Sequence, residues 1–427
     1  MNTKYSIINI KFIFMVILFT VAARGQNEPN YVSQEQYNNL KQELETIKGQ
    51  LADLNKTKTQ GQEKTVELEN MMKQAMNLSE DSKLGNTKLL IAGDASIGYV
   101  DEHHVPSTFT AQFNPMLLWQ LSDKLFFEGG LELGLEGPDE DGEGSQSDVE
   151  LDSAYLVYLI NDYAIVGAGK FTTPFTAYHR HFDPGWINVL PFDPLIYSDS
   201  GIAPDSSVGA FVNGALPVRK SIVNYAVYLT NGPALITDDL DAAGSLNFDN
   251  YNDLNNNKAF GFRLGYLPVP VLEIGYSFEY SKPGIGIFRN VRSYLHGIDL
   301  NYVKNNDYLK GRVTARFGWI WSQLDTAAYP AVSPSRFNND RNGGYAEIAY
   351  RPTKALEKWA NNLEFALRYD RLNISKRAPG GGNEYQLTPG INYWITPRTV
   401  LKIAYAFDEK ENRNDDNIFA IQLATGF

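Results

Sequence analysis

Five histidines, His103, His104, His179, His181 and His296, are the side chains of this 427-residue chain best suited to proton transfer or metal ligation near neutral pH. Nucleophilic catalysis would need one of them as a base beside an activated hydroxyl or thiol. No serine stands at a recognisable spacing from any of them, and the chain has no cysteine. The reading is therefore no catalytic residue, no cofactor, no metal centre and no enzyme. The pairs His103 with His104 and His179 with His181 could ligate zinc, copper or nickel if their segments met. They are read instead as polar loop residues, and His296 as an interfacial residue within an apolar face.

The second chemistry-bearing set is ionic, and its spacing is regular. In 309–321, Leu309, Val313, Ala315, Phe317, Trp319 and Trp321 fall on one parity, while Lys310, Arg312, Thr314 and Arg316 fall on the other. In 363–370, Leu363, Phe365, Leu367 and Tyr369 alternate against Glu364, Arg368 and Asp370, and in 125–133 the apolar set opposes Glu128 and Glu132. Period-two alternation makes a strand with one wet and one apolar face. Projected onto the wet face, basic Lys310, Arg312, Arg316, Arg368 and Lys402 lie late in the chain, and acidic Asp94, Glu128, Glu132, Glu150 and Asp152 lie early. Lys170 and Arg263 complete the set. Opposed walls of opposite charge would orient water and dipolar solutes; the alternative is solvated or paired charges with little selectivity.

Positioning such a face requires a sheet closed on itself. From Leu89 onward sixteen alternating segments are counted, the eleventh over Tyr308–Trp321, the twelfth over Gly344–Tyr350 and the last over Ile418–Phe427. Every second connection is short, such as Ser122-Asp123 and Asn161-Asp162, with Arg351 to Asn361 the one longer exception, and the intervening ones are mostly long and polar. Short turns alternating with long loops on an even number of strands belong to a barrel crossing a lipid bilayer. The expected fold is all-β: a 16-stranded antiparallel transmembrane β-barrel over 87–427, preceded by an α-helical coiled coil. Beyond the first 25 residues no apolar run is long enough to span as a helix. A net charge of -12 argues against a nucleic-acid partner.

Lys4 and Lys11, then the apolar stretch Phe12 to Ala23 and Ala23-Arg24-Gly25, read as a secretory signal over 1–25. In 34–78, Tyr37, Leu40, Leu44, Ile47, Leu51 and Leu54 alternate spacings of three and four, which is a heptad seam. A seam without a broader apolar face must meet copies of itself, and its mix of Leu and Ile points to a parallel trimer in the periplasm.

After the fifth segment come Gly169-Lys170-Phe171-Thr172-Thr173-Pro174-Phe175 and a connection of about thirty residues, too long and too aromatic for a solvated loop. Folded inward, it would constrict a pore with His179, Arg180, His181, Asp183 and Trp186. Here the chain resembles porins of the phosphate-selective O and P type, in which a glycine, a phenylalanine and a Pro-Phe pair end the strand before the constriction loop. That resemblance implies a sixteen-stranded trimer with an inward third loop. Its anion-selective members carry a lysine cluster and an arginine ladder; this loop carries Arg180 and no lysine cluster. Terminal Phe427 on an amphipathic strand looks like the signature that bacterial barrel assembly reads.

The sequence therefore points to a bacterial outer-membrane porin for small hydrophilic solutes or ions, generally or weakly selective. Its expected partners are outer-membrane lipid, two further copies of itself and, through the coiled coil, peptidoglycan or a periplasmic protein. The competing reading is a structural tether or adhesin linking the barrel to the cell wall; Asp139, Glu140, Asp141 and Glu143, with Asp238, Asp239 and Asp241, make acidic external loops.

Overall fold

The computed structural model describes residues 88–135, 147–198, 201–248, 251, 255–330, 332, 335–411 and 415–427. The signal segment, the seam from Tyr37 to Leu54 and Asp139 to Glu143 lie outside the described residues. The chain divides into the units 1–86 and 87–427, and every described residue belongs to the second.

Sixteen strands of the described residues form one closed antiparallel barrel in sequence order. They are β1 (Lys88–Glu102), β2 (Thr108–Gln120), β3 (Leu125–Leu135), β4 (Ser147–Asn161), β5 (Ala164–Thr172), β6 (Ser206–Val218), β7 (Ser221–Thr230) and β8 (Ala259–Val269). The second half comprises β9 (Leu272–Ser281), β10 (Ser293–Asn306), β11 (Gly311–Leu324), β12 (Arg341–Pro352), β13 (Leu363–Ile374), β14 (Gly382–Thr396), β15 (Thr399–Lys410) and β16 (Ile418–Gly426). Closure is made by β1 on β16, from Asp94 opposite Gly426 to Glu102 opposite Ile418. Each expected segment is a strand, with ends moved by a few residues.

The eleventh shows why the ends move. The Asn306 side chain accepts hydrogen bonds from the Tyr308 and Leu309 amides at 2.9 and 3.1 Å, folding Asp307 to Lys310 into a turn. The strand then starts at Gly311. Lys310, expected on the inner wall, is instead the exposed last residue of that turn, with φ +51°.

Alternation assigns the faces. On β13, Phe365, Leu367 and Tyr369 are 46%, 44% and 45% exposed, whereas Glu364, Arg368 and Asp370 are buried inside. An apolar exterior of this extent is stable against lipid and not against water. On β4 the alternation breaks in mid-strand. Pairing of β3 with β4 slips between Gly130 and Leu131, so that Asp152 is an extra, unpaired residue. Before this bulge Val149 and Leu151 point outward; after it Leu156, Tyr158 and Ile160 do. The bulge thereby gives Asp152 and Tyr155 to the same interior cavity.

The barrel interior holds an apolar cluster in which Phe175, Tyr178, Ile196 and Tyr197 of the third loop pack on Leu295, Ile320, Tyr345 and Leu372 of the wall. A second cluster, including Leu235, Val291, Tyr329 and Phe337, joins two short ribbons in the long loops, Ala234–Leu235 with Leu246–Asn247 and Ala327–Ala328 with Arg336–Phe337.

Candidate functional site

The third loop, 173–205, is tied at its neck, where the Thr173 amide donates to the Asp205 carbonyl at 2.7 Å. One helical turn follows, α1 (Ala177–His181). From there the chain enters the barrel and runs along the inner wall of β9 to β16. A buried backbone of this length brings carbonyls that have lost water and need donors, and the wall supplies them.

Ser277 Oγ donates to the carbonyl of Phe175. Lys402 Nζ donates to the carbonyls of Gly185 at 2.5 Å and Leu190 at 3.3 Å, and Asn392 Nδ2 to that of Val189 at 2.8 Å. Arg368 donates to the carbonyls of Phe192 and Asp193 at 2.8 and 2.9 Å. In the reverse sense the Leu195 amide donates to Asp370 at 3.3 Å, and the Gly185 amide to Asp94 at 3.3 Å.

Apolar side chains of the loop sit where the wall has no side chain. A Cβ at Gly390 would come within 2.4 Å of Leu190, and one at Gly426 within 2.4 Å of the Trp186 indole. These are close approaches that only glycine permits.

This seat changes the fate of the charges expected to line the lumen. Arg368 and Lys402 face inward but are buried beneath the loop, and Arg368 also pairs with Asp370 at 2.8 Å. Arg316 pairs with Glu347 at 3.3 Å, and the ring of Phe182 covers its guanidinium at 4.0 Å. Arg263 is buried between Asp299 and Glu273, and Lys170 between Glu150 and Tyr251. Arg312 is exposed near the short-turn rim, directly opposite Arg351. With Lys310 in its turn, Arg312 is the member of the basic wall left exposed inside, where it lines a cavity of about 640 Å³ with Arg351 and Lys304 at the short-turn rim; Arg316, Arg368 and Lys402 are taken up by the loop and by inner-wall carboxylates.

The acidic side remains open. Asp94, Glu128, Glu132 and Asp152 of the wall, with Asp183, Asp193 and Asp205 of the loop, line a cavity of about 680 Å³. Arg180 is the one arginine or lysine among its lining residues, which also include His179, His181 and Trp186. A neighbouring cavity of about 490 Å³, reaching Lys88 and Gln120 toward the short-turn rim, shares Glu128, Tyr155, Arg180, Phe211 and Asn213 with the first. The two adjoin at Arg180.

The histidines separate. His103 and His104 are exposed in the five-residue connection from β1 to β2, with ring centroids 3.9 Å apart. His296 lies on the outer face, its Nδ1 3.0 Å from the Tyr276 hydroxyl. His179 is buried beside the stacked rings of Tyr178 and Tyr197. Among the described residues no three His, Asp or Glu side chains are grouped to hold a metal.

Sequence reading did not reach the roles of Arg368, Lys402 and Asn392 as donors to the loop, nor Asp193 and Asp205 as lining groups. The usable signal was the glycines interrupting the inner faces late in the chain, at Gly390 and Gly426.

No protein-family model and no curated protein matches the chain. Solved structures do. OmpF of Salmonella typhi in complex with daunomycin superposes with a TM-score of 0.54 at 12% identity, covering 80% of this chain and 98% of that one. The outer-membrane channel DcaP of Acinetobacter baumannii gives 0.50 at 12%, covering 81% and 99%. OmpT of Vibrio cholerae, an outer-membrane protein in trimer form, gives 0.50 at 10%, covering 80% and 100%. At such identities the likeness is one of fold, and the fold of this chain is that of bacterial outer-membrane channel barrels.

Proposed function

We propose that the protein is a porin of the bacterial outer membrane, a passive water-filled channel for small hydrophilic solutes or ions, and not an enzyme. The observation that carries this is the inversion of the barrel: apolar side chains outside, and inside it two adjoining cavities with charged linings beside the inward loop. A tether or adhesin would need neither the polar lining nor the built seat of the loop. Kinship with the phosphate-selective O and P type rests on the run from Gly169 to Phe175; its anion selectivity is not part of the proposal, because Arg316, Arg368 and Lys402 are buried.

The same reading includes a secretory signal over 1–25, lipid around the barrel, a homotrimer, and a periplasmic coiled coil over 34–78 that engages peptidoglycan or a periplasmic protein. The trimer draws support from the heptad seam and from the trimeric form of the OmpT barrel. Single-channel recording in planar bilayers tests the proposal. Stepwise insertions closing in three sublevels are expected; a folded, inserted barrel that does not conduct would give the tether reading precedence.

A further inference from the structure

We propose that the passage beside the third loop selects small organic cations bearing N–H donors, amines and guanidinium compounds, over anions. The inference rests on the porin reading and adds to it the chemical class of the solute.

Two independent observations carry it. The first is the imbalance left when the loop takes up the wall cations. Arg316, Arg368 and Lys402 are spent on Glu347, Asp370 and loop carbonyls. What faces the cavity is Glu132 and Asp152 on one side and Asp183 and Asp205 on the other, against the single guanidinium of Arg180. A low-dielectric channel lined by one sign of charge concentrates counter-ions about tenfold or more.

The second observation concerns His179, whose side chain is 8% exposed and lines the same cavity. Neither ring nitrogen has a hydrogen-bond partner. Nδ1 stands 3.5 Å from Asp205 and 3.9 Å from Asp183, beyond a good bond to either. A neutral imidazole offers one acceptor nitrogen. A cation with several N–H groups can satisfy that nitrogen and the flanking carboxylates together; an alkali ion satisfies the carboxylates alone, and an anion satisfies neither.

The test uses the full-length protein. Reversal potentials in a potassium chloride gradient are combined with liposome swelling in arginine, glutamine and glutamate. The expected result is a preference for potassium over chloride, with arginine entering several-fold faster than glutamate and faster than glutamine. Glu132→Gln and Asp183→Asn each lower the cation preference. His179→Phe lowers arginine entry more than it lowers potassium conductance. A conducting channel with no cation preference, or with glutamate entering as fast as arginine, overturns the inference and leaves the porin reading standing. Arginine entry unaffected by His179→Phe overturns the donor recognition. A folded, inserted barrel that passes no current removes both.

Discussion

The Nη2 of Arg368 donates to the backbone carbonyl of Asp193 at 2.9 Å, joining positions 175 apart in sequence. The same guanidinium holds Phe192 and Asp370 and is fully buried. A residue projected as a charge lining the lumen is thus a strut beneath the loop. Arg368→Met strands Asp370 and two loop carbonyls, and breaking a buried pair of this kind costs about 3–5 kcal/mol. The variant is expected to show a lower unfolding temperature in detergent and noisier channel current; wild-type melting and quiet current would refute the strut.

Gly390 is filled by Leu190 from above. Gly390→Val leaves no room for that side chain, and overpacking of this kind costs about 1–3 kcal/mol. The expected outcome is a folded barrel with faster protease cleavage in 185–195 than the wild type, read by mass spectrometry of timed digests.

Arg180 stands where the two cavities meet. Arg180→Ala removes the one opposing cation and opens the junction. Conductance and cation preference should both rise in bilayer recordings; a fall in either would mean that the guanidinium assists passage.

Lys310 provides a negative control, since it lies in an exposed turn. Lys310→Glu reverses a charge without changing the lumen, so reversal potential and melting temperature are expected to match the wild type. A shift in reversal potential would restore Lys310 to the pore wall.

Glu411 joins two long loops, accepting from Lys376 at 2.5 Å and from the Asn383 side chain at 2.8 Å. The Lys376 hydrogen bond, with help from the Asn383 amide, holds its carboxyl below the usual carboxylate value near pH 4. A depressed carboxylate contributes its stabilisation above the unfolded pKa and loses it as pH falls through the lower folded one. The clasp should therefore survive at pH 5, and amide exchange at Asn383, corrected for intrinsic rate, should accelerate only below about pH 4. Acceleration already at pH 5 would contradict this.

Most of the barrel was legible because each strand carries its own code: Phe365, Leu367 and Tyr369 alternate with Glu364, Arg368 and Asp370 whatever the rest of the chain does. The inward loop was legible from its length and aromatic content. What Arg368 and Lys402 do there was not, because a side chain's parity gives its face but not its partner, and the partners lie in a loop about half the chain away. The bulge at Asp152 escaped for a related reason: a single extra residue is visible only in the pairing of β3 with β4, not in β4 itself.

The seat of the third loop is built, apart from Asp94 of β1, from strands made after it. Ser277, Arg368, Asn392, Lys402 and Gly426 all follow the loop along the chain. During synthesis the loop precedes most of its seat, and its last contact, Trp186 over Gly426, exists only once the final strand is in place. Full seating of the loop therefore follows or accompanies closure of the cylinder, and a chain truncated before β16 would lack the seat of Trp186 while keeping the donors on β13 to β15 that hold Val189 to Asp193.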